Sequence, residues 1–367
     1  MKIALAHEYF VAHGGAERVV ETFHRMWPDA PVYTFFHDRR RYGDLPGWTL
    51  RTSYLQHLLL GESHRVLLPL YPNAARALRL PPETDVALIS TSGFIKGIGL
   101  ADRTVAIAYC HSPTRYLYDW REQYMREEVP GPLVPLMRDL LQRLRDLDLR
   151  TAQRMDLWIA NSTAVRGRIE KYYEQPGEKI EIVHPPVDVE TFAADAERGD
   201  FWLFVGRLSS YKRADVAVRA FNEIGMRLIV VGQGRERGNL ERIASENVVF
   251  TGQADEATLR SLLASARGLV FPAEDDFGIV CVEALASGAP VVALAAGGIF
   301  DIVRDGEDGI LVDVPEPRAF ADGVLRAEHT HFEPKALRDS ARRFDVSRFR
   351  ERVRGLVEDA HEKGRAP

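Results

Sequence analysis

Cysteine is nearly absent from this chain, with only Cys110 and Cys281 among 367 residues. They lie far apart and match no metal-binding or redox spacing, which excludes a disulfide scaffold and a dithiol centre. Both read as buried thiols in a reducing compartment, so the protein is expected to be cytoplasmic. Long apolar runs are also lacking. The opening MKIALAHEYF is too short for a signal peptide and is interrupted by His7 and Glu8. LLLGESHRVLLPLYP is broken by Glu62, His64 and Arg65, so no segment is expected to span a membrane. Charge of one sign is missing too: the net charge of −5 implies no general attraction to nucleic acid. Internal repeats and low-complexity tracts are not seen. What is present, 46% apolar and 28% charged residues over this length, suits a soluble protein of two domains.

Short apolar strands alternate with amphipathic helices along the chain. Strands are expected at residues 2–6, 32–35, 85–90, 104–109, 157–160 and 180–183. A second series follows at 201–205, 227–231, 248–250, 268–271, 290–294 and 309–312. Helical periodicity is clearest after Gly14-Gly15, where Val19, Val20, Phe23, Met26 and Trp27 share a face. It recurs over residues 133–155, where Leu133, Leu136, Leu140, Leu144 and Leu147 do. Such alternation predicts an α/β protein of two doubly wound, Rossmann-like domains facing across a cleft. The expected division is residues 1–190, 191–345 and a final helix, 346–367, that could cross back to the first domain. HPPVDVETF and the polar stretch 193–200 read as the link between the domains.

The stretch 272–290, PAEDDFGIVCVEALASGAP, carries the strongest local signal. Glu274, Asp275 and Asp276 occupy a loop feeding a helix that opens near Gly278 and closes at Gly288, with Pro290 beyond. Glu283 lies about one turn into that helix. The backbone amides of Phe277, Gly278, Ile279 and Val280 are unpaired donors suited to an anion or to sugar hydroxyls. Acids here could instead merely complement the helix dipole. Upstream, GRLSSYKR puts Arg207 and Lys212 at another strand end, where two cations can clamp a diphosphate; solvated surface charge is the plainer alternative. In the first domain, Gly14 and Gly15 permit close backbone approach before a helix start, without a full dinucleotide fingerprint. His111, after the strand 104–109, is placed to bond a sugar or relay a proton, or else is a structural histidine. Asp146 and Asp148 form an acid-x-acid triplet, but in a helix they point to different faces, so no metal site is expected. Residues 51–80 set Arg51, Arg65, Arg76 and Arg79 against Glu62 beside leucine clusters. That surface could lie on an anionic bilayer, or be ordinary helices with arginines outside.

Taken in order, VGRLSSYK, VVGQG, VFTG, DDFGIVCVE and AAGGIFDIV resemble the retaining glycosyltransferases of family 4 (glycosyl transferases group 1). These have the two-domain GT-B fold and include sucrose synthase-like and mannosyltransferase members. The resemblance covers nearly the whole chain. It implies that Arg207 and Lys212 hold the donor diphosphate, Glu283 the ribose, and the amides of Phe277–Val280 the donor sugar and phosphate. Gly14 and Gly15 would approach the diphosphate, and His111 would lie against the transferred sugar. Two positions depart from the family pattern: Asp275 stands where the family has glutamate, and Phe300 where proline is frequent. YCHSPTRYLYDW is similar to bacterial enzymes of lipopolysaccharide and capsule synthesis, many of which use GDP-mannose. The implied activity is metal-independent hexosyl transfer with retention, without a cofactor, from a nucleotide sugar to a glycan or lipid-linked acceptor, at the inner face of a membrane if there is peripheral contact. A UDP-sugar donor, an epimerase or hydrolase on the same fold, and a non-catalytic two-domain binding protein remain alternatives.

Overall fold

The computed structural model describes residues 1–58, 67–192 and 196–364. Its chain divides into two compact units, residues 1–185 with 349–367, and residues 186–348. In unit 1, seven parallel strands stand in the order β3-β2-β1-β4-β5-β6-β7. They are β1 (Ile3–His7), β2 (Val32–Thr34), β3 (Leu50–Thr52), β4 (Val86–Thr91), β5 (Val105–Cys110), β6 (Leu157–Ala160) and β7 (Ile180–Ile182). Unit 2 holds β8 (Phe201–Val205), β9 (Arg227–Val231), β10 (Val248–Gly252), β11 (Leu269–Phe271), β12 (Val291–Leu294) and β13 (Gly309–Val312). Its order is β10-β9-β8-β11-β12-β13. Both sheets are doubly wound α/β sheets.

Sheets of this kind are covered by helices on both faces, so their strands are apolar on both. In unit 1, Ala4, Ala6, Ala87, Ile89, Ala106 and Ala108 join one core, and Ile3, Leu5, Val86, Leu88 and Ile107 the other. The second core is closed by two helices remote in sequence. Val19, Val20 and Phe23 come from the helix Gly15–Met26. Phe349, Val353, Leu356 and Val357 come from the final helix, Val346–Gly364. Phe349 stacks on Phe23 with centroids 5.7 Å apart.

Three departures from the sequence pattern are instructive. β3 has no counterpart among the expected strands, because a three-residue edge strand with half-exposed and exposed side chains shows no apolar run. The helix Val134–Ala152 buries Leu141, Leu144, Asp148 and Ala152, whereas Leu133 and Leu136 are 50% and 70% exposed. Val134, Met137 and Leu140 pack against the core from the first turn, so the buried face runs beside Leu133 and Leu136, and the leucine stripe is wrong at those two positions. HPPVDVETF holds the passage between the units, at Pro185–Pro186, but most of it is packed and is not a free linker. Val187, Val189 and Phe192 are core residues of unit 2, and Val187 forms a bridge with Asp345. Of the basic surface at residues 51–80, Arg51, Arg76 and Arg79 are exposed and Leu78 and Leu80 buried. Leu59, Leu60, Glu62, Arg65 and Val66 lie outside the described residues, as do residues 193–195 of the polar stretch.

Candidate functional site

In unit 2 the chain leaves β8 to build β9 and β10 on one side, then returns to lay β11 on the other. The connections after β8 and β11 therefore diverge and open a crevice at the carboxyl ends of the strands, where doubly wound sheets hold ligands. One wall is the loop 206–213 and the other the loop 272–278. Lys212 and Asp275 meet across it, Nζ to Oδ2, at 2.5 Å. Two rings flank the ammonium, with centroids 5.3 Å (Tyr211) and 5.7 Å (Phe271) from Nζ. Burial, the largest single influence, would make Lys212 easier to deprotonate, but Asp275 together with Tyr211 and Asp276 outweighs it and the ammonium is held above its ordinary range. It therefore stays cationic at neutral pH. Arg207, on the same loop, is exposed, and its guanidinium has no partner among the described residues.

The position of Asp275 is set by backbone contact rather than by its side chain. Gly298 N–H donates to the Asp275 carbonyl at 2.9 Å. A Cβ on Gly297 would lie 2.3 Å from that carbonyl oxygen, and one on Gly298 2.3 Å from that of Asp276. Only glycines let the loop after β12 come so close. The helix Ile279–Ala286 starts from Gly278, whose left-handed φ of 96° a side chain would resist, and no side chain caps it. Its leading amides, those of Ile279 and Val280, belong to half-buried residues beside the crevice. Phe277 is a core residue packed edge-on against Phe344, so its side chain serves the fold and only its backbone is available to a ligand. Glu283 is 3% exposed, so its carboxylate is buried and does not sit on a solvated helix face. Glu274 is exposed and Asp276 half-buried.

Unit 1 has the same winding, and its crevice lies between the ends of β1 and β4. His7 pairs with Ser90 in the parallel register. The Ser90 hydroxyl lies 3.0 Å from His7 Nδ1 and 2.7 Å from His111 Nε2. Burial first, then the nearby His7, push the His111 imidazole down to about 3, so it is neutral at physiological pH. On the other face of the sheet, Glu8 accepts hydrogen bonds from Thr91 Oγ1 at 2.9 Å and Ile95 N–H at 3.3 Å. Its carboxyl is pushed up by burial, against the opposing pull of Lys96. Lys96 and Asp148, both fully buried, form an ion pair, and Tyr118 Oη donates to the same carboxylate. Asp146, by contrast, is exposed and accepts from Gln142.

Gly14 caps the helix Gly15–Met26 with extended backbone and no side-chain bond. Glu17 folds back over this helix start, where an acid complements the dipole. His13 is exposed, stacked on Tyr42 and bonded to its carbonyl. In unit 2, then, the chain gathers residues that sequence reasoning named singly: Lys212 with Asp275, beside the helix start at Gly278 and buried Glu283. The partners of His111 in unit 1 were not foreseen. The available signal was a histidine and a glutamate ending an apolar strand, ALAHE, and a serine ending another, LIST.

Comparison with known proteins matches residues 13–191 to the model of Glycosyltransferase Family 4. Residues 200–329 match that of Glycosyl transferases group 1. The chain is thus similar to two glycosyltransferase family models, one after the other, each over less than half of its length. A similar curated protein is D-inositol 3-phosphate glycosyltransferase of a Nocardioides species, 31% identical over 208 residues, which are 47% of this chain and 45% of that one. The chain spans about half the length of the curated relatives it matches. Among solved structures, the HepE protein of Anabaena, in complex with UDP and glucose, superposes with a TM-score of 0.72. It is 19% identical and covers 98% of this chain and 99% of its own. Sucrose-phosphate synthase from Thermosynechococcus elongatus does so with a TM-score of 0.72 at 16% identity, over 98% and 99% of the two chains. The architecture is that of GT-B glycosyltransferases.

Proposed function

We propose that this protein is a retaining glycosyltransferase that moves a hexose from a nucleotide diphosphate to an acceptor hydroxyl, with mannose from GDP-mannose as the first donor to test. The observation that carries this reading is the unit 2 crevice: a cation held ready by Asp275 beside an uncapped helix start. The donor diphosphate is anionic, and charge grows on it as the bond to the anomeric carbon breaks. Lys212, the exposed Arg207 and the amides of Ile279 and Val280 stabilise that charge, the work a metal performs in other transferases. Glu283 holds the ribose hydroxyls. The bond from the anomeric carbon to the diphosphate oxygen breaks while the acceptor oxygen bonds on the same face, and the acceptor proton passes to the departing phosphate oxygen. Asp275 is tied up with Lys212, which favours this course over a covalent intermediate on that carboxylate. A glycan or lipid-linked acceptor for surface polysaccharide follows from the resemblance of YCHSPTRYLYDW.

A second reading, a UDP-sugar donor, has the HepE complex in its favour. A thermal-shift screen with GDP, UDP, ADP and their sugar conjugates separates the two. Selective stabilisation by GDP and GDP-mannose is the expected result. A preference for UDP moves the donor and keeps the transferase, and no response to any nucleotide removes the donor site.

A further inference from the structure

The contacts of His7, Ser90 and His111 determine which nitrogen of His111 carries a proton. A serine hydroxyl has one hydrogen, so Ser90 donates to one of the two rings and accepts from the other. The direction is decided at the far end of the row. His7 Nε2 is buried and has no hydrogen-bond partner among the described residues. It lies 3.8 Å from Glu17 Oε1. A lone pair turned toward a carboxylate is repelled, whereas an N–H is attracted, so a neutral His7 carries its proton on Nε2. Its Nδ1 is then an acceptor, and the Ser90 hydroxyl donates to it. The Ser90 oxygen in turn accepts Nε2–H of His111. His111 Nδ1 is left as a bare lone pair, with no hydrogen-bond partner among the described residues.

We propose that Glu17, His7 and Ser90 are positioning residues that fix His111 as its Nε2–H tautomer, so that Nδ1 accepts from a ligand hydroxyl and turns away a phosphate oxygen. The strand register supplies the geometry: His7 and Ser90 are Cα partners on β1 and β4, and His111 N–H bonds the Thr91 carbonyl at 3.0 Å. Because burial keeps the imidazole of His111 uncharged, no cationic form is at hand to bind phosphate instead. That the hydroxyl belongs to a sugar or its acceptor rests on the transfer reaction proposed above; the tautomer does not.

The test is nitrogen NMR of the full chain labelled at histidine, at about pH 8, where ordinary imidazoles are neutral. The His111→Gln variant identifies the signals. The expected wild-type result is protonation of His111 at Nε2. Ser90→Ala and Glu17→Gln should each turn it into a mixture of tautomers, and Ser90→Thr, which keeps the hydroxyl, should restore it. Protonation at Nδ1 in the wild type, or a pattern unchanged in both Ser90→Ala and Glu17→Gln, overturns the inference. Turnover gives an independent reading: Ser90→Ala should lower kcat by about fivefold, the weight of one ordinary hydrogen bond, and Ser90→Thr should recover it. A wild type that consumes no nucleotide sugar defeats the transfer reading while the NMR result stands. A donor turned over by a protein with His111 protonated at Nδ1 defeats the inference alone.

Discussion

Replacing Lys212 with alanine is the sharpest test of the unit 2 crevice. The ammonium lies 2.5 Å from Asp275 with its side chain 16% exposed, and Asp275 holds it in the charged form. A hydrogen bond from such a charged group is worth about 1.5–3 kcal/mol. Lost from the transition state for departure of the diphosphate, it corresponds to a fall in kcat of about 10–150-fold. The fold should survive, because the stranded Asp275 side chain is 21% exposed and water can take the place of the ammonium. A loss of about 1 kcal/mol would lower the melting temperature by only about 2–4 °C in a domain of this size. The assay is release of nucleoside diphosphate from the donor found by thermal shift, run beside melting curves of both proteins. A folded Lys212→Ala protein that turns the donor over at the wild-type rate would refute the clamp.

Lys96→Met should destabilise unit 1 by about 3–5 kcal/mol, since it strands a fully buried Asp148. Lys96→Met with Asp148→Leu should recover most of that in urea unfolding; a double variant no better than the single one would count against the buried-charge account. Gly298→Ala should distort the loop carrying Asp275, because its Cβ would fall 2.6 Å from the Phe277 Cα. A loss of nucleotide binding, read by calorimetry, is expected, and wild-type affinity would contradict it. Acid stability offers a further check. His111 is depressed from its ordinary 6.5 to about 3, so its contribution is fully present above pH 6.5 and is lost as pH falls through that window. The slope reaches about 1.4 kcal/mol per pH unit. His24, lowered by burial, has the same sign. His111→Gln should flatten the pH dependence of unfolding there, and an unchanged slope would contradict the assignment.

The architecture was legible because its signals are local. Apolar runs ending in glycine, proline or polar residues marked twelve of the thirteen strands, and the missing one is the exposed edge strand β3. Helix starts are local in the same way: the Ser162 hydroxyl accepts from Val165 N–H at 3.1 Å. The unit 2 crevice was half legible. Lys212 and Asp275 stood out as separate charges on separate loops, but their pairing depends on which strands are neighbours. The unit 1 crevice was least so. His7 and Ser90 are 83 residues apart, and only the register of β1 with β4 brings them together. Leu133 and Leu136 failed for a related reason: with apolar residues at 133, 134, 136, 137 and 140, periodicity does not decide which of them face the core, and Val134, Met137 and Leu140 do.

The return of the final helix to unit 1 has a consequence for synthesis of the protein. Unit 2 is an insertion within the sequence of unit 1, since residues 186–348 are complete before Phe349, Val353, Leu356 and Val357 exist. Emerging from the ribosome, the later-encoded unit can fold first. The earlier one waits, with Phe23 and its neighbours on that face uncovered, until the last helix arrives. A chain that ends at residue 348 therefore carries the whole second unit and an exposed apolar flank on the first, a natural client for a chaperone.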